Sequence, residues 1–211
     1  HGTGDARLTQ FLYEFTGRGN DQFGPGFYFT TSPTTASGYT SRQIDDGVEK
    51  LGGESAPGVL PVYLSLQSPL EVNARDVAHL GQALELTPDQ AYELIRRAPN
   101  IMHPEKSPLG DHFAEYWDVG PKDYMLREVA ERYSNPMHIA GDMYREGGNV
   151  MEVFLSTLSE VTGYDGVAVT FEGGEKHYVA WSPTQIKSAT GNIGTFDPAQ
   201  ADIRFAAPSP E

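Results

Sequence analysis

Phe23 to Thr40 reads FGPGFYFTTSPTTASGYT. Its aromatic run, Gly26–Thr31 (GFYFTT), has Gly-Pro-Gly before it and Ser-Pro after it. That pattern predicts a strand between two turns. Outward from it, Leu60, Val62, Leu64 and Leu66 alternate with Pro61, Tyr63, Ser65 and Gln67. Period two predicts a strand with one buried face, with Pro61 near its start or at an edge. Much later, Gly166–Phe171 (GVAVTF) and His177–Trp181 (HYVAW) flank Glu-Gly-Gly-Glu. Two short apolar runs around a glycine-rich connection predict a hairpin.

The region between these strands reads as helix. Thr87-Pro-Asp-Gln90 is a capping box with proline at the first helical position, opening a helix that runs to about Arg97. Gly120-Pro121 precedes a second helix carrying Tyr124, Leu126, Val129 and Tyr133. Asn149, with Glu152 three residues later, caps a third that carries Val153, Phe154, Leu158 and Val161. Asn100–Val119 has no clean period and reads as an irregular connection. Strands therefore occupy residues 1–72 and 163–205, with helices over 73–162. That order predicts an α+β fold in one domain spanning 1–211, with a helical insertion at about 73–162 and a loose tail at 206–211.

The chain has 211 residues, enough for one sizeable core and short for two. Hydrophobic residues make up 38% and charged residues 21%, as in a soluble globular domain. No apolar stretch approaches the length of a membrane span, so no membrane partner is expected. The first residue is His1, not methionine, so a longer parent polypeptide is expected. There are no cysteines, which excludes disulfides, thiolate nucleophiles and cysteine-based zinc sites. The formal charge of −14 argues against nucleic acid and favours basic partners.

Three places carry chemistry: His1-Gly2-Thr3, the pair Tyr28 and Tyr39 eleven residues apart, and residues 174–198 (GEKHYVAWSPTQIKSATGNIGTFDP). Taken singly, each has an ordinary structural explanation, as a loop, core aromatics and a satisfied histidine. What sets them apart is that all three occur in one order. His103, Asp111 and His112 fit no standard metal spacing. Gly17-Arg-Gly19 and Gly24-Pro-Gly26 lack the βαβ context of a dinucleotide fingerprint. Phe113, Tyr116 and Trp117 read as core or as a target-docking patch.

Together the three places resemble the ADP-ribosyltransferase fold in its His-Tyr-(Glu) branch, that of diphtheria toxin and the poly-ADP-ribose polymerases. In that branch a His-Gly-Ser/Thr segment opens the site, a Gly-x-Tyr-Phe strand follows, and a second tyrosine lies eleven residues on. Within the branch the chain is most similar to the ADP-ribosyltransferase domain of phage polyvalent proteins and related bacterial effectors, some of them toxins. Gly163-Tyr-Asp-Gly-Val, His177-Tyr-Val-Ala-Trp, Pro183-Thr-Gln-Ile-Lys-Ser-Ala, Gly191–Pro198 and Asp202-Ile-Arg204 carry that likeness. It spans roughly 1–72 and 163–205.

The resemblance implies a split β-sandwich and an enzyme that cleaves NAD as co-substrate, needing no metal. It would release nicotinamide and pass ADP-ribose to a macromolecular acceptor, expected to be a protein. Work in a bacterial or host cytoplasm after delivery is also implied. His1 would position NAD. Tyr28 and Tyr39 would sandwich the flat nicotinamide ring, each stack adding about 0.5–1.5 kcal/mol beyond burial. Gly2, Thr3, Phe29, Thr30 and Ser37 would line the site. Gln22 and Phe23 belong to a loop that in relatives covers NAD. Cleavage passes through a ribosyl cation, which calls for negative or lone-pair density. Known members place glutamate at that third position, whereas the alignment puts His177 there. Neutral histidine accepts a hydrogen bond but carries no negative charge. Glu175 lies two residues earlier on the same strand face, and Glu172 in the turn. The third role therefore falls to His177 or to Glu175, and polymer synthesis is not expected. Two rival expectations are an NAD glycohydrolase and a catalytically silent NAD-binding or interaction module.

Overall fold

The computed structural model describes residues 1–16, 21–40, 56–97, 123–143, 148–192 and 199–204. Asn100–Val119, with His103, Asp111, His112, Phe113, Tyr116 and Trp117, and the tail 206–211 lie outside them. The fold is α+β, as the order of elements predicts. The chain divides into two compact units. The first comprises His1–Phe11, Phe27–Ala74 and Gly166–Glu211; the second comprises Leu12–Gly26 and Arg75–Asp165. The stretch Leu12–Gly26 thus joins the helical unit, which local patterning does not reveal.

The first unit is built on a four-stranded sheet of order β2-β7-β6-β5. Its strands are β2 (Phe27–Thr30), β5 (Leu70–Asn73), β6 (Gly166–Thr170) and β7 (Lys176–Ala180). β2 and β6 both run antiparallel to β7, while β5 and β6 are parallel. A parallel pair needs a long crossover, and the chain between β5 and β6 is the helical segment. The β6–β7 hairpin turns through Gly173 and Gly174, both at φ 86°. Only glycine enters that left-handed region without strain, which explains Glu-Gly-Gly-Glu.

Two ribbons complete this unit. β1 (Gly2–Thr3) pairs with β3 (Gly58–Val59), and β4 (Val62–Leu64) with β8 (Ile186–Ser188). The alternation over Leu60–Gln67 is real, but the strand is divided at Pro61. Proline has no N–H for a ladder, so the two pieces find different partners. The last described segment is laced to β8: Ser188 N–H donates to the Ile203 carbonyl at 2.8 Å. Lys187 is fully buried, and its ammonium donates to the carbonyls of Gln200 and Asp202. A buried charge is tolerated only with such partners.

The second unit holds α2 (Leu80–Ala83), α3 (Pro88–Arg97), α4 (Asp123–Ala130), α5 (Pro136–Met143) and α6 (Gly148–Thr162). The capping box at Thr87 is present: Gln90 N–H donates to Thr87 Oγ1 at 3.3 Å, and Thr87 N–H to Gln90 Oε1 at 2.9 Å. α6 is assigned from Gly148, one residue before Asn149. Its buried residues Met151, Phe154, Leu155 and Leu158 follow the helical period and form one apolar stripe. α3 packs against both α4 and α6, and its Ala91, Leu94 and Ile95 are buried.

These contacts set two expected stability losses, measured by urea unfolding. Thr87→Ala removes one cap and costs about 1 kcal/mol. Phe154→Ala opens a cavity in the helical core and costs about 3–5 kcal/mol.

Candidate active site

β2 alternates in burial, with Phe27 and Phe29 buried while Tyr28 and Thr30 are half-exposed. The register on β7 sets Thr30 opposite His177 and Tyr28 opposite Val179. Residues directly opposite in an antiparallel pair share a face. Tyr28, Thr30 and His177 therefore stand on one side of the sheet, away from the Phe27–Phe29 side.

Glu175, just before β7, ties this face together. Its Oε1 accepts a hydrogen bond from Thr30 Oγ1 at 2.7 Å and another from His177 Nε2 at 2.8 Å. Thr30 Oγ1 itself accepts from the Ser32 N–H at 3.0 Å, which leaves its own proton directed at Glu175. These donors, led by Thr30 and then His177, with the Thr35 hydroxyl adding to them, hold the Glu175 carboxyl below its usual range. A carboxylate cannot donate, so His177 Nε2 carries a hydrogen. The remaining ring nitrogen, Nδ1, then presents a lone pair in neutral imidazole. The Phe171 ring, 4.4 Å away between centroids, packs against the imidazole.

His1 meets this strand from the other element. Its Nδ1 donates to the Tyr28 carbonyl at 2.8 Å, which leaves Nε2 as the nitrogen with the lone pair when the ring is neutral. The imidazole lies against Phe11 and Phe29, at 5.0 and 5.4 Å between centroids. It also lines a cavity of about 520 Å³ together with Phe29, Thr30, Ala36, Leu60 and Tyr178. Tyr28, Tyr39, Glu175 and His177 do not line that cavity.

The turn between the two tyrosines is a helix, α1 (Pro33–Gly38). Ser32 caps it by accepting from the Thr35 N–H at 3.1 Å, with Pro33 at the first position. Serine and proline there are a helix start, and six residues are too few for periodicity to reveal. Tyr39 occupies the C-cap and is 45% exposed. Gly2 is what lets β1 lie on α1: a Cβ there would stand 1.8 Å from the Ala36 carbonyl oxygen and 3.2 Å from Tyr39 Cβ. His1 thus bonds the first tyrosine, and Gly2, the next residue, lies close enough to the second that a Cβ would meet it.

The remaining candidates have other neighbours. Thr3 is buried, and its hydroxyl is engaged in a local turn with Asp5. Ser37 is exposed on α1, with its carbonyl accepting from the Thr40 hydroxyl. Phe29 serves the core on the inner side of β2. Gln22 and Phe23 belong to the second unit, where the Gln22 amide donates to the Ala78 carbonyl and Phe23 is 3% exposed. Thr35 and Phe171 were missed by sequence reasoning. Their closeness to Glu175 and His177 follows from the α1 helix and the β6–β7 turn, not from any motif.

A family model described as ADP-ribosyltransferase in polyvalent proteins matches residues 1–196. No curated protein and no solved structure matches the chain.

Because the folded state depresses the Glu175 pKa, the pair adds stability above the unfolded carboxylate value of about 4.3. That contribution is lost as pH falls through the lower, folded value. Urea unfolding of the chain and of Glu175→Gln should therefore differ most near neutral pH and converge below about pH 4.

Proposed function

The chain belongs to the family of ADP-ribosyltransferases in polyvalent proteins, and from that premise we propose that it is a mono-ADP-ribosyltransferase acting on a protein acceptor. The observation that carries this reading is the junction at Glu175 Oε1, which joins Thr30 and His177 on the face that also bears Tyr28. A histidine alone at the third position would lack negative charge. Paired with Glu175, it gains that charge through a hydrogen bond, so the two residues fill the third role together.

In this reading Tyr28 and Tyr39 hold the nicotinamide ring between them. His1 offers Nε2 to a ribose hydroxyl, since its Nδ1 is engaged by the Tyr28 carbonyl. Nicotinamide leaves with the electrons of the C1′–N bond, and the developing ribosyl cation is stabilised by the charge that Glu175 places behind His177. The net charge of −14 favours basic protein surfaces as acceptors and disfavours polyanions. The helical segment is where target recognition is sought.

The test is nicotinamide release from NAD by the purified chain, alone and with host lysate. Release should rise with lysate and fall in both Tyr28→Ala and His177→Ala. Losing one aromatic stack of about 0.5–1.5 kcal/mol should raise the NAD KM of Tyr28→Ala or Tyr39→Ala by about two- to thirteen-fold. Release without label on any macromolecule would identify a glycohydrolase. NAD binding without release would leave a silent binding module.

A further inference from the structure

We propose that one edge of β4 takes up an extended, basic segment of a partner protein as an added strand, antiparallel to β4 and in the line of β1. This edge belongs neither to the Glu175 junction nor to the tyrosine pair, and its use does not depend on NAD cleavage.

Backbone hydrogen bonds fix which way each residue of the ribbon faces. Ser65 N–H donates to the Gln185 carbonyl, and Ala189 N–H donates to the Pro61 carbonyl, both at 2.9 Å. Tyr63 stands opposite Lys187 in the same register. Pro61, Tyr63 and Ser65 therefore face β8, and the residues between them face the other way. On that other side Leu60 N–H donates to the His1 carbonyl at 2.8 Å, and the His1 amino group donates to the Leu60 carbonyl at 3.1 Å. β1 thus covers this edge as far as Leu60. Beyond it, the N–H and C=O groups of Val62 and Leu64 meet no partner among the described residues. Pro61 does not block the edge, because its missing N–H lies on the β8 side.

The side chains suit a strand as the occupant. Residues 58–67 (GVLPVYLSLQ) carry no charged side chain, the common guard of an open edge. Val59 and Tyr63 are 40% and 65% exposed. On the opposite face Leu60, Val62 and Leu64 line the cavity of about 520 Å³ with Phe29 and Tyr178. Val62 and Leu64 offer donor and acceptor pairs about 6.6–6.8 Å apart, the two-residue repeat of an extended chain. Residues paired directly with Val62 and Leu64 share their face. Their side chains would enter the cavity and should be apolar. The alternate side chains would stand beside Tyr63, where lysine or arginine gains from the ring face. The net charge of −14 favours that basic set.

The test is fluorescence anisotropy of a labelled seven-residue peptide alternating lysine and valine, titrated with the purified chain at physiological salt. It should bind, and the same peptide with glutamate for lysine should bind far more weakly. N-methylation of the valine nitrogens, which face β4, should abolish binding. N-methylation of the lysine nitrogens, which face outward, should leave it unchanged. Leu64→Pro deletes one outward N–H without breaking a bond to β8, and should weaken binding by about two- to thirteen-fold. A melting curve checks that variant, and the two methylated peptides decide the matter if it unfolds. No binding, equal loss with both methylated peptides, or equal binding of the glutamate peptide overturns the proposal. So does sedimentation showing the chain alone as a dimer that Leu64→Pro disperses, because the edge would then serve a second copy.

Discussion

The register of β2 on β7 places Thr30 against His177 and Tyr28 against Val179, and the site depends on it. A slip of one residue would turn Tyr28 and Thr30 into the core and bring Phe27 and Phe29 out. The buried aromatics therefore hold the polar face in place. Phe27, Phe29 and Phe11 form one cluster with ring centroids 5.5–5.6 Å apart along the Phe11 contacts. The His1 imidazole closes that cluster while bonding the Tyr28 carbonyl. The same apolar packing that specifies the strand thus orients the His1 imidazole.

The second constraint is close approach. Gly2 lies so near the end of α1 that any side chain would strike the Ala36 carbonyl. This contact brings the helix carrying Tyr39 onto the strand that follows His1. Gly166 plays a comparable part in the sheet, where a Cβ would come within 2.5 Å of the Val179 carbonyl oxygen. Two glycines thereby set the distances between elements whose polar residues matter. The Lys187 ammonium fastens the last described segment, residues 199–204, to the same unit.

Much of this was legible from local pattern. The hairpin, the aromatic strand and the capping box at Thr87 each carry a short-range signal, because turn chemistry and periodicity act within a few residues. α1 was legible only in part, since Ser32-Pro33 announced a start without enough residues to show a period. α5 escaped notice for a related reason: Pro136 opens it, but the residues before it form no capping box. The assignment of Leu12–Gly26 to the helical unit depends on contacts with residues far along the chain, such as the Gln22 carbonyl accepting from Leu80 N–H.

The amino-acid sequence by itself determined the aromatic strand, the hairpin and the helix capped at Thr87, the placing of Tyr28 and His177 on strands, and the order of motifs that marks the family. It left His177 and Glu175 as alternatives for one role. Only the tertiary structure decided that they form a single bonded pair. Residues i and i+2 share a strand face in any sheet, yet whether a carboxylate meets the imidazole depends on its rotamer. Here that rotamer is held by Thr30, 145 residues away on another strand. No local pattern encodes a hydrogen bond across that separation, because its geometry exists only after β2 has paired with β7.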